Sequence, residues 1–177
     1  ELKNPWTGQN VQNAVRQYRT DRDPKEPLFE FGRCLVHFAV DPDEAFMCAQ
    51  LAGNDSNFLP FNKGFNYGKG NPVNPNGHKT AYLWQEILPR RSLTNIIEQF
   101  AKFTVEKDKK TGKERKALFF PRYHQLDVVR GILMDAQQKG VGQTYLIQHS
   151  AGSGKSNSIT WLAYQLVEQY DTTGTAN

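Results

Sequence analysis

Cysteine, methionine and long apolar runs are all scarce in this chain. Two cysteines and two methionines occur in 177 residues, which excludes a disulfide-stapled secreted scaffold and fits reduced thiols in a cytoplasmic protein. If residues 34–40 and 44–51 fold back around Asp41-Pro42-Asp43-Glu44, mirror pairing sets Cys48 near His37 and Cys34 near Leu51, so the two thiols do not face each other. The four histidines, at 37, 78, 124 and 149, show neither C-x-x-C nor H-x-x-x-H spacing, which argues against a zinc-type centre. No apolar stretch approaches the 18 residues of a membrane span, and no signal-peptide pattern opens the chain. The hydrophobic fraction is 38% and the mean hydropathy −0.67, low but compatible with a globular fold. The formal charge of +4 permits a nucleic-acid partner without diagnosing one.

What is present is an ordered alternation of helix, strand and turn signals. Residues 9–22 carry Val11, Ala14, Val15 and Tyr18 at helical spacing, with Arg16, Arg19 and Arg22 largely opposite. Pro24 and Pro27 end that helix. Strand signals follow at 28–31, 34–40, 45–51 and 57–61. Residues 62–78 are rich in Gly, Asn and Pro and predict a long irregular loop, with Lys63 at its edge reading as a solvated lysine. Helical patterns return at 79–88, 92–103 and 122–138, with a short strand at 117–120 between the last two. Residues 106–116 hold six basic and three acidic residues and no apolar one, which reads as a solvated segment between domains. The expected division is therefore 1–104, a charged linker at 105–116, and 117–177.

The segment His149-Ser150-Ala151-Gly152-Ser153-Gly154-Lys155-Ser156 is the most specific chemical signal. Thr144 to Ile147 reads as a short buried strand before it. Ile159, Trp161, Leu162, Leu166 and Val167 recur at helical spacing after it. Strand, Gly-rich turn and helix together form the frame of a phosphate-binding loop. In that frame the backbone from Ser150 to Gly154 would cradle phosphate oxygens at a helix N-terminus, Lys155 would reach the β- and γ-phosphates of ATP, and the Ser156 hydroxyl would sit on Mg²⁺. His149 stands where the strict motif has Gly, matching the looser helicase-type version. Only 21 residues follow Ser156, fewer than a whole nucleotide-binding domain needs, so the expectation is the beginning of a motor lobe.

A second signal lies at Glu1-Leu2-Lys3. Alternate residues on a strand face one way, so Glu1 and Lys3 can share a site, a carboxylate for a metal beside an ammonium. Metal-assisted phosphodiester cleavage also requires another carboxylate, which no residue before Glu1 supplies here. With ELKNP (1–5), NAVRQYRTD (13–21), FAVDPDEAFMCAQLAG (38–53), FLPFNKG (58–64), YLWQEIL (82–88), FPRYHQLDVVR (120–130) and YLIQHSAGSGKSNSITWLA (145–163), the chain resembles the restriction subunit of type I restriction–modification enzymes along nearly its whole length.

That resemblance implies an α/β architecture. The C-terminal part of a PD-(D/E)xK restriction-endonuclease-like domain would be followed by the start of a RecA-like P-loop helicase lobe. It further implies that the parent protein translocates double-stranded DNA with ATP and cleaves it with Mg²⁺, in a complex with methylation and specificity subunits. Residue by residue, Glu1 matches the metal-binding acid and Lys3 the catalytic lysine. Gln17 matches the Gln of a Q-x-x-x-Y element whose Tyr position is here Asp21. Arg122 and Gln125 match the adenine-recognising element. Two other readings compete: a P-loop ATPase module with an unrelated N-terminal adaptor, or a non-catalytic partner-docking domain over residues 1–104.

Overall fold

The computed structural model describes residues 1–107, 112, 114–140 and 142–173. It is mixed α/β and resolves into two compact units, Glu1–Arg122 and the chain from Tyr123 onward.

The first unit is organised by one amphipathic helix on a small sheet. Helix α1 (Val11–Thr20) starts at Asn10, whose side chain accepts from the Gln12 and Asn13 amides while Asn13 reaches back to the Asn10 N–H. Such a reciprocal box satisfies donors that the first turn otherwise leaves orphaned. Asp41 adds to the same end from across the chain, its Oδ2 accepting from the Val11 N–H at 2.8 Å. Its Oδ1 meanwhile takes the Asp43 and Glu44 amides and closes the turn between two strands. One carboxylate thus fixes both the start of α1 and the hairpin under it. Val11, Ala14, Val15 and Tyr18 are buried, as the helical spacing predicts, against Ala39, Cys48, Leu51 and Phe58.

The sheet runs β1 (His37–Val40), β2 (Ala45–Cys48) and β3 (Leu59–Pro60), antiparallel throughout. Its register pairs His37 with Cys48, the pairing that mirror symmetry about 41–44 predicts, and both cysteines are free. Residues 1–3 add a short parallel edge to β1. The Val40 N–H donates to Glu1 O at 3.0 Å and the Lys3 N–H to Val40 O at 2.8 Å. On the sheet face away from α1, Phe38 packs edge-on to Phe61 at 5.1 Å and to Phe120 at 6.1 Å. A π-helical turn (Leu83–Ile87) and helix α2 (Arg90–Gln99) follow the loop.

Several sequence expectations fail here. Residues 28–31 form turns in place of a strand, and Leu28 is exposed; a single isolated bridge, Phe31 to Cys34, is all the pairing the segment finds. The described residues of the charged stretch expected as a linker are mostly strand. Strand β4 (Lys102–Lys107) pairs antiparallel with β5 (Glu114–Phe119), and both precede the end of the first unit at Arg122. Polarity does not forbid a two-stranded ribbon, because opposed charges such as Lys107 and Glu114 meet across it at 3.7 Å. Residues 108–111 and 113 of that stretch lie outside the described residues. Lys63 is not simply solvated: its Nζ pairs with Glu86 Oε1 at 2.6 Å and lies 5.3 Å from the Tyr82 ring centre.

The 62–78 loop has no regular strand or helix, yet it is anchored. Asn71 is buried; its Nδ2 donates to Asp43 O and Asn62 Oδ1, and its Oδ1 accepts from the Lys63 N–H. At the tip Asn66 and Tyr67 both have positive φ, the left-handed pair of a tight reversal.

The second unit pairs helix α3 (Tyr123–Lys139) with helix α4 (Lys155–Thr173). The expected buried strand at 144–147 does not form. These residues pair with no strand among the described residues, and Leu146 is 94% exposed. The apolar stripe of α4 is split likewise: Trp161 is buried, whereas Ile159 and Val167 are exposed. An isolated β-segment leaves its N–H and C=O groups unpaired and has no ladder to hold it. Among the described residues of this unit no strand lies beneath the helix, and its outer stripe stays exposed. No helix among the described residues is long and apolar enough to cross a membrane.

Candidate functional site

Two clusters bear on chemistry, one in each unit. In the first, the parallel edge at 1–3 turns Glu1 and Lys3 to the side of the sheet that α1 covers, while Leu2 between them is 75% exposed. Lys3 Nζ donates to Gln17 Oε1 on α1 at 2.5 Å and to Glu1 Oε1 at 3.4 Å. The three residues predicted for the nuclease site, from sequence positions up to sixteen apart, are therefore one hydrogen-bonded cluster. The lysine side chain is only 6% exposed.

Two further residues join it. Arg22, just beyond α1, brings its Nη2 to 3.2 Å from Glu1 Oε2. Tyr18, whose hydroxyl lies 3.2 Å from the Glu1 nitrogen and donates to Phe38 O at 3.4 Å, closes the inner side. Burial works against the charge on Glu1, but hydrogen bonds from Arg22 and Lys3 and nearby positive charge outweigh it and hold the carboxyl below its ordinary range. Burial, with the Glu1 charge adding to it, raises the Tyr18 phenol. Helical spacing assigns Tyr18 only to the apolar face and Arg22 only to the polar one. Both belong to the cluster because the ends of their long side chains reach past the surface that their spacing assigns. Asp21, at the position that the Q-x-x-x-Y resemblance gives to a tyrosine, caps the end of α1 and accepts from Thr20 Oγ1.

This donor set does not make a magnesium site unaided. Mg²⁺ takes near-octahedral oxygen ligands, commonly one or two carboxylates with phosphate oxygens and waters. Here one carboxylate is present with both oxygens engaged by cations, and no group of three or more His, Cys, Asp or Glu residues suited to a metal occurs among the described residues. Glu1 can be one ligand of a metal site, and no more.

The second cluster is the Gly-rich turn. Gly152 and Gly154 sit at φ of 71° and 81°, which favours glycine at both positions. Lys155 opens α4, and its Nζ donates to His149 O at 2.9 Å and Ser150 O at 2.8 Å. The ammonium is thus held by the carbonyls of its own loop. Ala151, Gly152 and Ser156 are exposed, whereas Ser153 is buried and its hydroxyl has no hydrogen-bond partner. An exposed Ser156 hydroxyl at the first turn of α4 suits a cation whose remaining ligands are phosphate oxygens and waters.

Helix α3 supports this turn. Gln125 is 4% exposed and its Nε2 donates to Gly154 O at 3.0 Å. His124 Nε2 lies 3.0 Å from Ser153 O, a contact that requires the proton on Nε2, since a carbonyl only accepts. The His124 and His149 rings meet edge to face at 4.8 Å. The two most specific sequence segments, at 120–125 and 147–156, are therefore in contact through His124 and Gln125. Gln125, expected at an adenine edge, here holds loop carbonyls with its amide nitrogen. Arg122 ends the first unit, partly buried, and that burial lowers its guanidinium from its ordinary range.

In comparisons with known proteins, no family model, no curated protein and no solved structure matches the chain.

Proposed function

We propose that this chain is part of the restriction subunit of a type I restriction–modification system. That subunit would couple ATP-driven translocation of double-stranded DNA to phosphodiester cleavage, in complex with methylation and specificity subunits. The convergence of Glu1, Lys3 and Gln17 is the observation that carries the reading. A nearly buried ammonium is costly unless it is paired and hydrogen-bonded, and at this sheet edge Glu1 and Gln17 supply those partners and so fix where the lysine points.

In this reading Gln17 and Glu1 hold the Lys3 ammonium in a fixed direction, where it offsets negative charge developing on a scissile phosphate. Arg22 keeps Glu1 ionised. Mg²⁺ would supply Lewis acidity at a site to which Glu1 contributes one ligand. In the second unit, ATP phosphates would replace the His149 and Ser150 carbonyls as partners of Lys155, with Gln125 and His124 keeping the turn in shape. The 177-residue chain by itself is expected to be inactive in ATP-dependent cleavage, since one carboxylate is too few.

The test replaces Glu1 and Lys3 in the full-length subunit, assembled with its partners. Cleavage should vanish while ATP-dependent translocation persists. Cleavage at the unaltered rate would remove the nuclease assignment and favour a P-loop ATPase module carrying a docking domain.

A further inference from the structure

Three residues after Lys3, the chain displays a tryptophan on a locked turn. Trp6 is 95% exposed. Its backbone is fixed within the single 3₁₀ turn Pro5–Thr7. Asn4 Oδ1 accepts from the Trp6 N–H at 3.0 Å, the Thr7 hydroxyl donates to Asn4 O at 2.7 Å, and Gly8, at a φ of 69°, returns its N–H to Pro5 O. An isolated exposed apolar residue is ordinary; an indole this bare on a turn this constrained has little to gain for folding.

Beside it lies a cavity of about 390 Å³ lined by Lys3, Asn4, Pro5, Trp6, Pro42 and His78. Lys3 thus belongs both to the polar cluster and to this wall. Pro5 and Pro42 stiffen it, and Trp6 and His78 are the aromatic side chains of its lining.

We infer that Trp6 and this cavity form a nucleobase-stacking site for an unpaired nucleotide, adjoining the Glu1–Lys3–Gln17 cluster. The inference rests on the nuclease reading for its location. Base–aromatic stacking tolerates any sequence, because every base offers a π-face, and a cation beside the stack suits the phosphate joined to that base. A ring set three residues from the lysine that addresses a phosphate would hold the neighbouring base and so orient the strand. The volume is of the size that encloses small ligands.

The experiment measures fluorescence anisotropy of a labelled oligothymidylate of about twelve nucleotides, and of an abasic strand of equal length, binding to the 177-residue chain at constant low salt. Trp6→Ala should weaken oligothymidylate binding roughly 5- to 150-fold, the range that loss of one stacked base produces. Trp6→Phe should retain most of the affinity, and the abasic strand should bind parent and Trp6→Ala alike. Because the ring is exposed, both variants should unfold at the parent's urea midpoint. Equal binding of oligothymidylate by parent and Trp6→Ala, or no binding by the parent, overturns the site.

The nuclease reading fails separately. If Glu1→Gln in the full-length subunit leaves cleavage intact while Trp6→Ala still loses the oligonucleotide, the stacking site stands and the nuclease does not. If Glu1→Gln abolishes cleavage but Trp6→Ala binds normally, the reverse holds.

Discussion

Replacing Gln17 by Met removes an acceptor while keeping length, helix preference and approximate volume. In the folded chain the Lys3 side chain is 6% exposed, and its ammonium has Gln17 Oε1 at 2.5 Å and Glu1 Oε1 at 3.4 Å. A hydrogen bond to a charged group contributes about 1.5–3 kcal/mol. Because Glu1 Oε1 stays within reach of the ammonium after the substitution, the lower half of that range applies, about 1.5–2 kcal/mol. With a urea slope of about 2 kcal/mol per molar for a unit of this size, the midpoint should fall by about 0.75–1 M at unchanged slope.

Glu1→Gln should cost less. The Glu1–Lys3 separation is longer, Glu1 is 22% exposed and its other partner, Arg22, is 43% exposed, so this is a solvent-screened pair of roughly 0.5–1 kcal/mol. Salt separates the two effects: 0.5 M NaCl should shrink the Glu1→Gln difference and leave much of the Gln17→Met difference in place. Urea titration followed through NMR amide signals of α1 reads the first unit alone. A Gln17→Met midpoint within about 0.2 M of the parent, or a Glu1→Gln loss larger than the Gln17→Met loss, would refute the assignment of Gln17 as the principal anchor of Lys3.

Stability of the first unit should fall as pH drops, through two groups of the same sign. The folded-state carboxyl of Glu1 lies below its ordinary 4.5, so its contribution is present above that value and is lost as pH falls through the folded one. His37 is held below 6.5 by burial and then by nearby positive charge, so the unfolded chain takes up its proton first and stability declines as pH passes below about 6.5. In a urea midpoint–pH profile, Glu1→Gln should flatten the limb below about 4.5 and leave the one near 6. Asn71→Ala removes three hydrogen bonds from a buried site; a loss of about 2–3 kcal/mol is expected, with chymotrypsin cutting at Tyr67 much faster. Unchanged proteolysis would show the loop is held elsewhere. Gln125→Leu should weaken ATP binding about 5- to 10-fold by releasing the Gly154 carbonyl, measured by calorimetry; an unchanged affinity would remove Gln125 from support of the turn.

The elements legible in the sequence are those whose partners are close along the chain. Helix α1 was readable because four apolar residues at 11, 14, 15 and 18 bury on one sheet, and the β1–β2 register because Asp41 closes a four-residue turn about which pairing is symmetric. The Glu1–Lys3 pair followed from strand alternation alone. Gln17, by contrast, is an ordinary polar helix residue by spacing, and only the family resemblance singled it out; its place beside Lys3 depends on the angle at which α1 crosses the edge, which periodicity does not encode. Arg22 was hidden for the same reason.

The misread segments share one physical cause, namely that hydrophobicity and charge state what a segment could do with a neighbour and not whether the neighbour is there. The stretch 106–116 reads as linker because it has no apolar residue, yet in its described residues opposed charges and a facing strand suffice for a ribbon. The stretch 144–147 reads as a strand because it is apolar, yet no strand among the described residues pairs with it. The Gly-rich turn forms all the same. Its conformation depends on Gly152 and Gly154 at positive φ and on local bonds from Lys155, Gln125 and His124, none of which requires the sheet. The Gly-rich turn proposed to bind phosphate can therefore be locally shaped while the strand expected to introduce it is not, and if ATP binds there its affinity should follow Gln125 more closely than any residue of 144–147.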